Sequence, residues 1–496
     1  MHRKQNFILN TISSLFNQIV VILCGFILPR LILSHYGSNV NGLIQSITQF
    51  ISLAGIFDAG MGVVIEACLF KPLAEFDTDE ISRVLTSGQK FYYKFVAILF
   101  IYIVILTFLM PQFAPGFNPI FTITLLLSIS VSSFGQYCLG VTNSILLSAD
   151  QKKYVNLNAS SLVIIFNTLI GAFLMKNNCS IQLVKLVASV VYIMRPIFLS
   201  IYVKKNYNIN WHVQYDKEPI RQKWNGFAQH LAFLVVGNTD VTVLTIMSSL
   251  ENVSVYSTYF LVINGIKTLI TACTSGFDSL LGNMLAKQEN NNLNKVFSSF
   301  EVLVHLLVIS LFGTTIKLIV PFVMIYTRGI TDADYFKPCF AAMICVAYTI
   351  FCLRIPYLTI VKIAGQFKET QLSSINEAII NIVISVITVA KFGLIGVAFG
   401  TLIAMTYRTI YLVFYIKKHI IFRSMKFFVK NIFVDILLSL IMFVTTFHLK
   451  ISDYTYFSWI NLAVKVSFIC FVEAVTICFI FYKRELIFIM DKLKKI

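Results

Sequence analysis

The chain has 496 residues, 57% of them hydrophobic and only 13% charged, with a mean hydropathy of +0.79 and a formal net charge of +17. A soluble domain carries ~25% charged residues, so a soluble enzyme is excluded. A basic balance in so apolar a chain points to membrane lipid rather than to nucleic acid, and no polar stretch is long enough for a separate soluble domain.

Apolar runs of about 20 residues, each able to cross ~30 Å of hydrocarbon, recur along the whole length. They predict an all-α polytopic membrane protein with about fourteen transmembrane helices. The segments are 8–33, 40–66, 91–112, 118–147, 156–175, 181–203, 224–248, 253–275, 296–325, 336–362, 372–391, 393–416, 431–449 and 458–482. The opening MHRKQNFILN is like the start of a secretory signal. Its apolar run continues too far and lacks a small-residue cleavage site, so a retained first helix is expected. In LPRLILSHYGSNVNGLIQS, residues 28–46, Pro29 is expected to bend the first helix at its outer end, beside Arg30.

The acidic stretch KPLAEFDTDEISRVL, residues 71–85, reads as a solvated loop whose DTD matches a glycosyltransferase metal motif only superficially. The seventh segment is the most polar, holding Asn225, Gln229, His230, Asn238 and Asp240. Glu301 and His305 share a face of the ninth segment, and Asp435, Lys465 and Glu473 are read as packing groups between the last two. The ten cysteines are scattered through apolar runs without metal spacing, so they read as small buried hydrophobes. No metal or bound cofactor is expected.

Most of the 40 Lys and Arg residues fall in alternate loops, including Lys204-Lys205, Lys417-Lys418 and Lys494-Lys495. The positive-inside tendency then places both termini in the cytoplasm. RPIFLSIYVKK at 195–205 and RTIYLVFYIKK at 408–418 align at an offset of 213 residues. ADQKK at 149–153 and AGQFK at 364–368 align at nearly the same offset, and SNV at 38–40 aligns more weakly with ENV at 251–253. A six-helix duplication follows, its halves related by an axis along the membrane normal. The expected layout is a lobe over 1–205, a cytoplasmic linker over 206–223, a second lobe over 224–418, appended helices over 431–482 and a basic tail over 483–496.

A Lys or Arg at the centre of a membrane helix costs ~2.5–3.5 kcal/mol, so each needs a reason. Arg195, Lys267, Arg354 and Arg408 all fall roughly 20–27 Å from the outer ends of their helices at ~1.5 Å per residue. They are candidates for one cationic, substrate-binding layer; snorkelling to the cytoplasmic interface is the competing account of Arg195 and Arg408. Asp58, in FDAGMG, is a candidate partner of Lys267. Arg30 and Asp240 are candidates for an outer gate, with outward snorkelling the competing account of Arg30. Glu66 reads as an interfacial acid. Two parallel lobes around such a layer suit alternating access.

The strings LPRLILSHYGSNVNGLIQS, QFISLAGIFDAGMG and CLFKPLAEFDTDEI resemble the bacterial flippases for lipid-linked oligosaccharides, the Wzx-type polysaccharide transporter family of the multidrug/oligosaccharidyl-lipid/polysaccharide superfamily. The likeness is clearest over residues 1–100. It implies a polyprenyl-diphosphate-linked O-antigen or capsule repeat unit as cargo, moved from the inner to the outer leaflet of the bacterial inner membrane through a cationic cavity. It also implies neighbours in lipopolysaccharide or capsule synthesis, namely glycosyltransferases and a polymerase. With no G-x-x-x-x-G-K-[ST] loop, direct ATP hydrolysis is not expected. A coupling ion, H+ or Na+, would fall to Asp58 or Asp240. The alternative is a cation-coupled multidrug antiporter of the same superfamily, which would favour acidic rather than basic cavity groups.

Overall fold

The computed structural model describes residues 2–483 except 59, 212, 214–219, 221–226, 288 and 422, and also residue 485. Among the described residues every regular element is helical. The chain runs through α1 (His2–Leu53), a 3-10 turn (Ala54–Asp58), α2 (Met61–Glu75), α3 (Thr78–Leu109), α4 (Pro119–Leu139), α5 (Val141–Ala149), α6 (Lys153–Lys176) and α7 (Ile181–Asn206). It continues through α8 (Phe227–Met247), α9 (Leu250–Thr274), α10 (Phe277–Ala286), α11 (Asn290–Tyr326), α12 (Pro338–Leu353), α13 (Ile355–Ile363), α14 (Phe367–Phe392), α15 (Leu394–His419), α16 (Lys426–Thr446) and α17 (Tyr456–Phe481). The linker and basic tail expected from the sequence lie largely outside the described residues.

Among the described residues, twelve helices are long and apolar enough to cross a membrane. The first of these contains the break at Gly37, where φ is +82°, and so counts as two legs. With the shorter apolar stretch Val235–Met247, the fourteen segments read from the sequence are accounted for. The protein is a multi-pass membrane protein.

Two local expectations are corrected. The bend belongs to Gly37, since the helix passes through Pro29 and runs on to Tyr36; Arg30 therefore lies about two turns inside the helix. The stretch 71–85 is not a loop. It is the end of α2 and the start of α3, and Ile81, Val84 and Leu85 are buried. Asp77 is the N-cap of α3, accepting from the backbone N–H groups of Asp79 and Glu80 at 3.1 and 2.9 Å. The DTD string is a capping device.

The chain divides into two compact units, Met1–Leu234 and Val235–Ile496. The duplication is written into their helix breaks. Helix α4 stops at Gly140 and gives way to the nine-residue α5, and α12 stops at Arg354 before the nine-residue α13. Gln151 and Gly365, each just beyond, both have positive φ. Break, short helix and left-handed residue all recur at a step of 214 (140 to 354, 141 to 355, 151 to 365). In the second unit α16 and α17 pack on α11 through Val302, Ile309, Leu438, Met442, Leu462 and Val466.

Candidate functional site

A buried polar arrangement in the second unit begins with two small residues. A Cβ on Gly400 would lie 2.3 Å from Ser385 Oγ, and one on Gly396 would lie 2.6 Å from the carbonyl of Thr388. This G-x-x-x-G spacing lets the α15 backbone rest directly on α14. The close approach aligns Glu377 and Asn381 of α14 with Arg408 and Thr401 of α15.

Glu377 is fully buried and holds two guanidinium groups, one on each oxygen. Arg354 Nη1 is 2.5 Å from Oε1, and Arg408 Nη1 is 2.6 Å from Oε2. Arg354 is also the residue at which the tenth segment breaks. Its guanidinium lies 4.6 Å from the Phe351 ring centroid, and Lys267 Nζ lies 5.2 Å from the same ring and 5.8 Å from Tyr348. Lys267, Arg354 and Arg408 are thus brought into one string around Phe351 and Glu377. They are not three equivalent open cations. Two arginines share one carboxylate, leaving one net positive charge, while half-buried Lys267 makes no ion pair among the described residues. Arg195, in the first unit, donates Nε to Asn156 Oδ1 at 2.9 Å.

Asp240 is buried in the second unit. It accepts from Tyr256 Oη at 2.7 Å, and Thr401 Oγ1 lies 2.8 and 2.9 Å from its two oxygens. Asn381 Nδ2 donates to Thr401 Oγ1 at 3.0 Å, and Asn381 Oδ1 is buried with no partner in the protein. The result is an oxygen-rich cluster one turn along α14 from Glu377. In the first unit, Arg30 is half-buried on α1 and Glu66 is half-buried on α2. Asp58, expected within a continuous helix, instead ends the 3-10 turn that interrupts the second segment, close to Tyr92 and Tyr137.

The sequence reading named the bases but missed their shared acid, Glu377, and the amide and hydroxyl of Asn381 and Thr401. It also missed Arg423, whose guanidinium binds Glu301 and donates to Ser298 Oγ at 3.1 Å. Glu301 accepts from Tyr357 Oη as well, at 2.5 Å. Asp435 does not serve packing between the last two helices: its Oδ2 lies 2.6 Å from His305 Nδ1, tying α16 to α11. An apolar groove of about 540 Å³ runs between α9, α11 and α17, lined by Val262, Ile266, Phe322, Ala463 and Phe468 among others.

No protein-family model and no curated protein matches the sequence. Solved structures do. A lipid II flippase MurJ in an inward closed conformation superposes with a TM-score of 0.73 at 17% identity, over 97% of this chain and 100% of that one. An inward-facing MATE multidrug resistance transporter of the MOP superfamily gives 0.62 at 12% identity, over 82% of this chain and 95% of its own. The MATE multidrug transporter DinF-BH gives 0.58 at 13% identity, over 84% and 96%. The chain therefore has the fold that MurJ and the MATE transporters share.

Proposed function

We propose that this protein is a flippase that moves a polyprenyl-diphosphate-linked oligosaccharide repeat unit from the inner to the outer leaflet of the bacterial cytoplasmic membrane, with both termini inside. The observation that carries this reading is the string Lys267–Phe351–Arg354–Glu377–Arg408, which holds a net positive charge at membrane depth. A diphosphate needs such a charge to leave water, and an ammonium on an aromatic face is ready to exchange that contact for a phosphate oxygen. The apolar groove beside α17 supports the same reading, since a prenyl chain needs a dry wall while its head group moves. Glycosyltransferases would supply the cargo and a polymerase would consume it, as for O-antigen or capsule.

The Asp240 cluster is the proposed coupling site. A carboxylate, a hydroxyl and an unpaired buried amide oxygen are hard donors suited to Na+, and the carboxylate alone suits H+. Asp240→Asn should keep the fold, because Tyr256 and Thr401 still find an acceptor. It should abolish any acceleration of transport by an imposed Na+ or H+ gradient. Undiminished gradient dependence in that variant would remove Asp240 from the coupling role.

The direct test is reconstitution. Proteoliposomes containing the protein should translocate a fluorescent polyprenyl-diphosphate oligosaccharide at a rate well above protein-free liposomes, and should not extrude a cationic rhodamine dye. Dye extrusion without lipid translocation would establish the multidrug-antiporter reading instead.

A further inference from the structure

Helix α9 carries two unlike edges along its uncovered side. At ~100° per residue, Ser257, Asn264, Lys267, Thr268, Thr271 and Ser275 fall within about 100° of arc. Val262, Ile266, Leu269 and Cys273 gather within about 60° on the far side by the same turn per residue, and Val262 and Ile266 there line the apolar groove. Between the two edges Ile263, Ile270 and Thr274 are buried. In the polar row Asn264, Thr271 and Ser275 are exposed and the other three residues half-buried. The helix is nevertheless long and apolar enough to cross a membrane. A polar row running about 27 Å along it, at ~1.5 Å per residue, is costly in hydrocarbon without a partner.

What the row offers a ligand is set by where its protons go. Ser257 Oγ donates to the carbonyl of Val253 at 2.8 Å, and Thr268 Oγ1 to that of Asn264 at 2.6 Å. Thr271 Oγ1 lies 3.1 and 2.9 Å from the carbonyls of Lys267 and Thr268, and Ser275 Oγ donates to that of Ala272 at 2.9 Å. Such back-bonding is ordinary in a helix; its consequence here is chemical. With each hydroxyl proton spent on its own helix, the four oxygens are left as acceptors. Lys267 is the one ammonium in the row, and Asn264 adds an amide that both donates and accepts. A phosphate, itself an acceptor, finds its donor in Lys267. The rest of the row suits a ligand rich in O–H or N–H donors.

The first unit supplies an internal control. A step of 213 residues takes Ile44 to Ser257, Ile51 to Asn264, Ala54 to Lys267 and Gly55 to Thr268, while Asp58 falls at Thr271. Ile44, Ile51 and Ala54 are all buried. The fold therefore accepts apolar side chains at these positions and covers them. The second unit leaves the same positions uncovered and makes them polar.

We propose that this edge of α9 binds the sugar part of the cargo, whose hydroxyl and amide protons are donated to Thr268, Thr271 and Ser275 while the diphosphate is held at Lys267. The inference rests on the flippase reading and adds which residues meet the sugars. A prenyl chain has no proton to donate, and a diphosphate alone would leave the four hydroxyl oxygens unmatched.

The test measures binding, by native mass spectrometry of the purified full-length protein. One probe is farnesyl diphosphate, and the other is the same diphosphate carrying a disaccharide of N-acetylglucosamine. The sugar-bearing probe should bind about tenfold more tightly, the range of one or two added hydrogen bonds. Thr268→Val combined with Thr271→Val should abolish that margin and melt like the parent, because each hydroxyl bonds only its own helix. Thr268→Ser combined with Thr271→Ser should keep the margin. Thr274→Val, the same change on the buried side of α9, should keep it too. No margin in the parent, or a full margin once both threonines are valine, overturns the proposal and leaves the flippase reading standing. Failure of both probes to bind removes the diphosphate cargo, and this inference falls with it.

Discussion

Glu377→Gln should destabilise the purified protein by about 3–5 kcal/mol, seen as a large fall in melting temperature and in folded protein recovered from membranes. The reason is geometric. Arg354 and Arg408 are 2% and 5% exposed, and Glu377 is the acid on both. A neutral amide would leave two buried guanidiniums facing each other without a counter-charge. The triple variant Glu377→Leu, Arg354→Met, Arg408→Met removes the whole set and should recover most of the lost stability, because a buried ion cluster replaced by apolar groups of similar volume is often neutral. Translocation by that stable triple variant should remain impaired. If it transports normally, the charges serve folding alone; if Glu377→Gln melts like the parent, the two arginines are neutralised elsewhere.

Lys267→Ala should lower the rate of lipid-linked oligosaccharide translocation by about tenfold or more, the range of one lost charge-assisted hydrogen bond, while leaving the melting temperature unchanged. Lys267 rests on the faces of Phe351 and Tyr348 and pairs with no acid among the described residues, so its removal strands no partner. Lys267→Arg should keep a measurable part of the rate. Arg354→Ala is not an equally clean probe of transport. Its bond to Glu377 makes that variant a folding defect as well, and Lys267 is the better test. Normal surface polysaccharide in cells carrying Lys267→Ala at matched expression would remove this lysine from the cargo's path.

The fourteen membrane segments were legible because hydrocarbon thickness sets a minimum run of apolar residues, and the runs are plain in the sequence. The duplication was legible from RPIFLSIYVKK and RTIYLVFYIKK, since parallel halves keep their lysine-rich ends on one side. The interruptions at Ala54–Asp58, Gly140 and Arg354 were not, because hydrophobicity continues across them while the backbone does not. Glu377 was the more serious omission. It stands in SINEAIINIV, an acid inside an apolar run, and the cost applied to the arginines applied equally to it. Asking what neutralises a buried acid would have found Arg354 and Arg408 from the other direction. At DTD only the loop assignment failed: residues 77–79 are exposed, as their charged neighbours suggested, yet Asp77 is engaged by the first turn of α3.

The ties from α16 and its lead-in to the second unit have a mechanical consequence. Asp435 is held by His305, and Arg423 is anchored on Glu301, which Tyr357 also grips. Peeling the C-terminal pair away would strip Asp435 of His305 and leave Glu301 with Tyr357 alone in a dry setting, a penalty that thermal motion does not supply. Whatever swing the second unit performs, helices α16 and α17 ride with it as fixed cargo rather than flapping as a detachable door.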